Sequence, residues 1–194
     1  MHAVFSQAEF VVKRRKIPLT SKHRVYGPEE TEPWLFFEEK TKWLPPSSTT
    51  HVYADDTKMH EVLTLKNSNA EGIDVDIIDA TSGQKIGGIS TSAGTLGEVF
   101  RDAWAITDAE NKPIGKLFEK SAARSVVRGV LGSELPQKLE VTVGDILVGE
   151  LRQKAMAIGY QLSADFSMDA TGLLDRRLGL AAAIFAALHQ GKVG

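Results

Sequence analysis

The stretch LLDRRLGLAAAIFAALHQG, residues 173–191, is the most apolar in the chain. From Leu178 to Leu188 no side chain is polar. Ala, Leu, Ile and Phe support a helix, and Gly179 is the one weak point. A helix that is apolar on every side must be surrounded by lipid or by protein. A spanning helix needs roughly 20 apolar residues, whereas a run of about 10–14 reads as a buried helix. Here charges at Asp175, Arg176 and Arg177 close the run on one side, and His189 and Gln190 close it on the other. The length therefore selects protein, with the helix expected at about 172–189 and Asp169 or Thr171 at its cap.

Bulk composition agrees with a globular domain. The chain has 194 residues, 42% hydrophobic and 25% charged, and is taken as one domain over 1–194. A formal net charge of −2 directs no strong overall field at nucleic acid, which is not an expected partner. With no cysteine, disulfides and thiolate metal sites are excluded. The opening MHAVFSQAEFVVKRRK has no long apolar core behind a basic start, so it does not read as a secretory signal. No glycine at position 2 invites myristoylation and no C-terminal cysteine invites prenylation. The expected location is the cytoplasm, with no transmembrane span. The chain carries no G-x-S-x-G, P-loop, H-E-x-x-H or cysteine nucleophile, so neither an enzyme nor a bound cofactor is expected.

Ahead of residue 173 the pattern is that of strands. EFVVK, PWLFFEE, HVYA, EVLTLK, IDVDIID, AWAITD, KLEVTV and DILVGEL are short, rich in β-branched and aromatic residues, and bounded by turn residues. KAMAIGYQLSADFSM adds one strand or two, with Gly159 marking a bend or bulge. Ile73, Val75 and Ile77 alternate with Asp74 and Asp76, as on a half-buried antiparallel sheet. VYADDTKMHEVLTL, DIIDATSGQKIGGI and AITDAENKPIGKLF repeat one design: an apolar strand, an Asp-centred turn and a second apolar strand. AGTLGEVFRDA and SAARSVVRGVLGS read as short helices or loops between hairpins. A sheet of this many strands curls or closes. Closure removes exposed edges, and a wide barrel needs a filling. The expected fold is a mainly β, closed antiparallel barrel of about 12 strands wrapped around the central hydrophobic C-terminal helix.

This arrangement resembles the Tubby C-terminal-like superfamily, which includes LURP-one-related proteins and phospholipid scramblases. Three segments carry the resemblance. They are the Asp-turn hairpins at 52–66 and 76–89, the hairpin AWAITDAENKPIGKLFEK with Asn111 where glycine is common, and the strand, acidic connection and helix of 159–190. The resemblance implies the plugged-barrel fold and a non-enzymatic binding module. Tubby domains bind phosphoinositide head groups through a basic surface patch. Scramblases also have a Pro-rich N-terminal segment, acylated cysteines and a longer helix. This chain has none of these, and the soluble LURP-one-like end of the group is the nearer likeness.

Among candidate sites, VVKRRKIPL comes first. Lys13, Arg14, Arg15 and Lys16 supply charge for phosphates, with Lys22 and Arg24 on the neighbouring strand. Alternation lets at most two of the four consecutive cations serve one face. The expected ligand is an anionic phospholipid or phosphoinositide head group, met peripherally at the membrane. The plain alternative is a solvated strand end paired with EEKTK. A soluble protein-interaction or scaffold role, scramblase activity and an unrecognised enzyme site at the barrel mouth stay open. For metal, only His51 and His60 stand out. A turn centred on Asp56 and Thr57 would put Tyr53 opposite His60 and His51 diagonal to it. Asp165, Asp169 and Asp175 do not match the EF-hand spacing and read as a cap and a polar collar. Trp34, Phe36 and Trp43 are expected to pack in the barrel wall.

Overall fold

Period-two alternation governs the wall. Along Thr49–Tyr53, for example, Thr50 and Val52 are buried while Thr49 and His51 are exposed. The computed structural model describes residues 2–17, 20–40, 48–68, 73–91, 103–119, 137–154 and 159–190. The side chains of 15–17, 20, 39–40 and 190 lie outside that description. So do the segments AGTLGEVFRD and SAARSVVRGVLGS and residue Trp43.

Twelve strands form the ring: β1 (Glu9–Ile17), β2 (Thr20–Tyr26), β3 (Pro33–Lys40), β4 (Thr49–Tyr53), β5 (Glu61–Asn67), β6 (Asp74–Asp79), β7 (Gln84–Thr91), β8 (Ala103–Thr107), β9 (Pro113–Glu119), β10 (Lys138–Val143), β11 (Ile146–Lys154) and β12 (Tyr160–Asp165). Each pairs antiparallel with its sequence neighbours, and β1 closes the barrel against β12, with Phe10 opposite Ala164 and Val12 opposite Leu162. A short 3-10 turn at Ala3–Ser6 precedes β1 and packs its buried Val4 and Phe5 at the barrel mouth. The one long helix among the described residues, α1 (Arg176–Gln190), follows β12.

An up-and-down ring has two unlike ends. After each even-numbered strand the chain reverses through a described connection, at 27–32, 54–60, 80–83, 108–112 and 144–145. Aspartate punctuates these reversals. Asp55 Oδ1 accepts from Thr57 N at 3.0 Å, Asp79 Oδ1 from Thr81 N at 2.8 Å and Asp108 Oδ1 from Glu110 N at 3.1 Å. Asp165 Oδ1 does the same for Ser167 N at 2.8 Å as the chain leaves β12. Asn111 takes φ +67°, as Gly83 takes +70° in the preceding hairpin, a left-handed turn position that Asn tolerates better than most residues with a side chain. Odd-numbered strands finish at the other end. These ends are called the turn end and the connection end.

The helix threads the ring. It packs against β1 and β12 on one side and against β7 on the opposite side, and Trp104 of β8 meets Phe185 edge-on at 5.4 Å. Leu178 and every residue from Leu180 to Leu188 are at most 3% exposed. Gly179 is explained by Phe166, whose ring lies 3.1 Å from where a Cβ would stand. Gly149 makes room for the same ring from the wall side. Phe166 is fully buried between the two, clamping the start of α1 to the end of β12.

The helix starts later than its composition suggests, and its cap is neither Asp169 nor Thr171. Asp175 accepts from Arg177 N at 2.8 Å and takes the cap position. Asp169 is committed one turn earlier. Its carboxylate accepts from Leu173 N at 2.8 Å, Leu174 N at 3.1 Å and Arg176 Nη1 at 3.2 Å. Arg177 then ties the helix to the wall, bonding Asp175 at 2.5 Å and Asp79 of β6 at 2.6 Å. Burial pushes Asp79 up, but Arg177 and the Ser82 and Thr81 amides outweigh it, leaving the carboxyl below its ordinary 3.8.

Two outcomes follow from the plug and its anchor. Ala183→Asp places an unpaired charge where exposure is 0%, and should remove at least about 3 kcal/mol of stability or prevent folding, as read by urea denaturation. A depressed folded pKa contributes stability that is present above the unfolded value and lost as pH falls through the folded one. Asp79→Asn should therefore be less stable than the parent at neutral pH, with the gap closing below about pH 4 in denaturation series run at several pH values.

Candidate functional site

The basic run divides between the two faces of β1. Lys13 sits on the outside, over the Tyr26 ring at 4.8 Å and in an ion pair with Glu30. Glu30 also accepts from Gln161 Nε2 at 2.9 Å. The Lys13 hydrogen bond holds Glu30 below its ordinary carboxylate range against a smaller burial effect. Arg14 registers between His23 and Tyr160, both buried, with its guanidinium 5.5 Å from the Tyr160 ring centre. Burial raises the Tyr160 hydroxyl, with the Arg14 charge opposing. Arg14 thus belongs to the inner face, with His23, whose ring stacks on Phe37 at 4.5 Å. Arg15 pairs in register with Lys22 and Lys16 with Ser21. Of the six cations singled out by sequence, Lys13, Lys22 and Arg24 share the outer wall, and Arg14 does not join them.

Beside them runs a shallow open groove over β2, β3 and β4. Lys22, Arg24 and Lys58 line it together with Phe36, Tyr53 and the carboxylates Glu38 and Asp56. Arg24 lies over the Phe36 ring, its guanidinium carbon 5.8 Å from the centre. Lys58 donates to Glu38 at 2.7 Å, and Lys22 approaches the other Glu38 oxygen at 3.8 Å. The Lys58 hydrogen bond is the main cause of Glu38 lying below its ordinary value, against opposition from burial and with help from Lys22. The ladder between β3 and β4 explains the concavity. It holds two residue pairs, Phe36 with Tyr53 and Phe37 with Val52, fewer than any other junction in the ring.

Lys58 is the member that sequence reasoning missed. It lies in the β4–β5 connection, distant in sequence from the basic run, and only the return of that turn over β3 brings it to Glu38. Asp55 holds the turn, accepting from the Thr57 hydroxyl, from Thr57 N and from His60 Nδ1 at 2.9 Å. The Thr57 hydroxyl and the His60 ring, in that order, bring the Asp55 carboxyl down to about 2.

The histidine geometry differs from the sequence expectation. A bulge between Val52 and Tyr53 sets Tyr53 opposite Glu61, not His60, and His51 opposite Thr64. His51 contacts Glu61 at 2.8 Å while His60 contacts Asp55, so the two rings serve separate carboxylates. Among the described residues no three His, Asp or Glu side chains gather as metal ligands. Trp34 is half-buried against the core and Phe36 forms the groove floor, as wall residues.

No protein-family model matches the chain, and no curated protein sequence does. No described helix is long and apolar enough to cross a membrane.

The turn that presents Lys58 can be probed directly. Thr57→Val should raise the Asp55 midpoint from about 2 toward 3.8, as followed by carboxyl-carbon NMR during a pH titration.

Proposed function

We propose that this domain is a non-enzymatic binding module of the Tubby-like and LURP-one-related type. It takes anionic phospholipid or phosphoinositide head groups at the outer wall, as a cytoplasmic protein that meets membranes peripherally. The observation that carries the reading is the groove in which Lys22, Arg24 and Lys58 surround Phe36 and Tyr53. Arg offers paired donors to a phosphate, the two lysines add point charges, and the aromatic floor excludes water from one side. Glu38 is the internal competitor. It occupies Lys58 and Lys22 when no ligand is bound, and a phosphate takes its place on both. Lys13 is neutralised by Glu30 and acts at longer range.

A protein-interaction role is the second reading, favoured by the exposed side chains of Met59, Ile146 and Leu173. Co-sedimentation with vesicles separates the two. Binding should occur with phosphatidylserine or phosphoinositide but not with pure phosphatidylcholine, and should weaken as salt rises. Lys22→Ala with Arg24→Ala should lower the partition coefficient about tenfold or more, at roughly 1 kcal/mol per cation. Glu38→Gln should raise it by releasing both lysines. Absence of binding to every acidic vesicle would sink the lipid reading in favour of a protein partner.

A further inference from the structure

The register of the outer wall sets six side chains at one level across neighbouring strands. Lys154 of β11 pairs with Gln161 of β12, Gln161 with Lys13 of β1, Lys13 with Arg24 of β2, Arg24 with Phe36 of β3, and Phe36 with Tyr53 of β4. Strands stand about 4.8 Å apart, so three cations and an amide follow one another over roughly 14 Å and end at the aromatic floor of the groove. Lys13, Gln161 and Lys154 continue the row beyond the groove, and they already hold a carboxylate. The β2–β3 connection folds back over the wall, where Glu30 forms an ion pair with Lys13 and accepts from Gln161 Nε2 at 2.9 Å. The charge of Lys154 acts on the same carboxylate. Gln161 points outward between the inward Tyr160 and Leu162, yet it is 6% exposed, with Glu30 lying over it. Glu30 reaches this place in a left-handed backbone conformation, φ +54°, which a residue with a long side chain keeps when its surroundings hold it there. Its N–H donates to the Gly27 carbonyl at 3.0 Å, and Gly27 sits so close to the Trp34 ring that a Cβ there would stand 2.2 Å from it. Pro28, Glu29, Thr31 and Glu32 of the same connection are exposed. The connection is thus a strap rooted at Gly27 and latched at Glu30.

We propose that Lys13, Gln161 and Lys154 form a second anion subsite beside the groove, filled by Glu30 in the free protein, and that the ligand is a polyphosphate that takes the groove and displaces Glu30. The inference rests on the groove reading above for the first of these two contacts. A carboxylate held by two cations and a side-chain amide shows what the subsite accepts, a compact anion with free lone pairs. A phosphate monoester offers the same lone pairs with almost twice the charge, so it competes for the place. Its departure lets Glu30 leave the left-handed conformation and the strap swing from its root at Gly27. A ligand with two phosphates gains from the pairing, because its second contact is made within the complex. A single anionic group has no such advantage against the latch. The strap therefore selects for polyphosphates, whether carried on a lipid head group or free in solution.

Calorimetry with inositol hexakisphosphate and co-sedimentation with phosphoinositide vesicles test the subsite in the full chain. Glu30→Gln removes the internal anion and keeps an acceptor for Gln161. Glu29→Gln makes the same charge change at an exposed neighbour. The first should tighten hexakisphosphate binding about threefold to fivefold, the range of a partly exposed ion pair, and the second by less than about 1.5-fold. Adding Lys154→Ala, at an exposed strand end, to Glu30→Gln should cancel the gain. Equal gains in the two glutamine variants, no gain in Glu30→Gln, or a gain that survives Lys154→Ala would overturn the subsite. The head-group reading would still stand if the parent binds acidic vesicles. A gain with the soluble probe, but no vesicle binding by any variant, would assign the subsite to a soluble polyphosphate and remove the membrane reading. The same order of affinities on vesicles would assign it to head-group phosphates. Displacement of the strap has a readout that needs no substitution. A Glu-specific protease should cut the parent faster within residues 29–32 when hexakisphosphate is bound, and an unchanged or slower rate would overturn the displacement.

Discussion

The match between a twelve-stranded ring and one slender helix is the constraint on which the structure rests. Strands about 4.8 Å apart and tilted near 40° close at a backbone radius of roughly 12 Å. Wall side chains pointing inward take up about half of that, and a helix of radius roughly 5–6 Å takes the remainder. A bulkier helix would not fit and an empty ring would collapse. The run from Ala181 to Ala183 and the pair Ala186 and Ala187 keep α1 slender. Ile184, Phe185 and Leu188 reach the wall where it recedes, and Gly179 lets Phe166 in. Every face of the helix meets protein, so amphipathicity would be a defect in it.

That constraint explains which parts of the fold were legible in the sequence. A helix apolar all round and too short for a bilayer implies a container, and alternating segments with Asp turns supply one. Strand count and the order of hairpins followed. The single-residue irregularities did not. The bulge at Val52 and Tyr53 leaves no trace in composition, yet it moves His60 out of the ladder and separates it from His51. The cap moved from Asp169 to Asp175 for a similar reason. Several carboxylates stand near the helix start, and only the backbone path decides which one meets a free N–H. The strand TSKHRVY was harder to see than its neighbours, because its outward cations hide the buried pair His23 and Val25.

The candidate site was legible by half. Alternation limited how many consecutive cations serve one face, and the structure puts Lys13 outside and Arg14 inside accordingly. The partner strand contributed Lys22 and Arg24 as register requires. Lys58 and Glu38 depend on a turn folding back over the wall, and no local pattern encodes that. The thin junction between β3 and β4 is also a tertiary feature. Where two strands share few ladder bonds, their outer faces diverge and leave a concavity between them.

The junction of β1 with β12 bears on how the protein comes into being. Residues 9–14 find their partners at residues 160–165. During synthesis the first strand leaves the ribosome long before the strand that completes its pairing, and the apolar helix emerges after both. Until then the growing sheet keeps two open edges and an unfilled, greasy inner face. Loop-closure entropy makes such distant pairing slow, and exposed edges in the interval invite association with other chains. A nascent chain of this design cannot close its ring or fill it until the final turn of helix is made. Shortening it by even that helix leaves a ring with nothing at its centre.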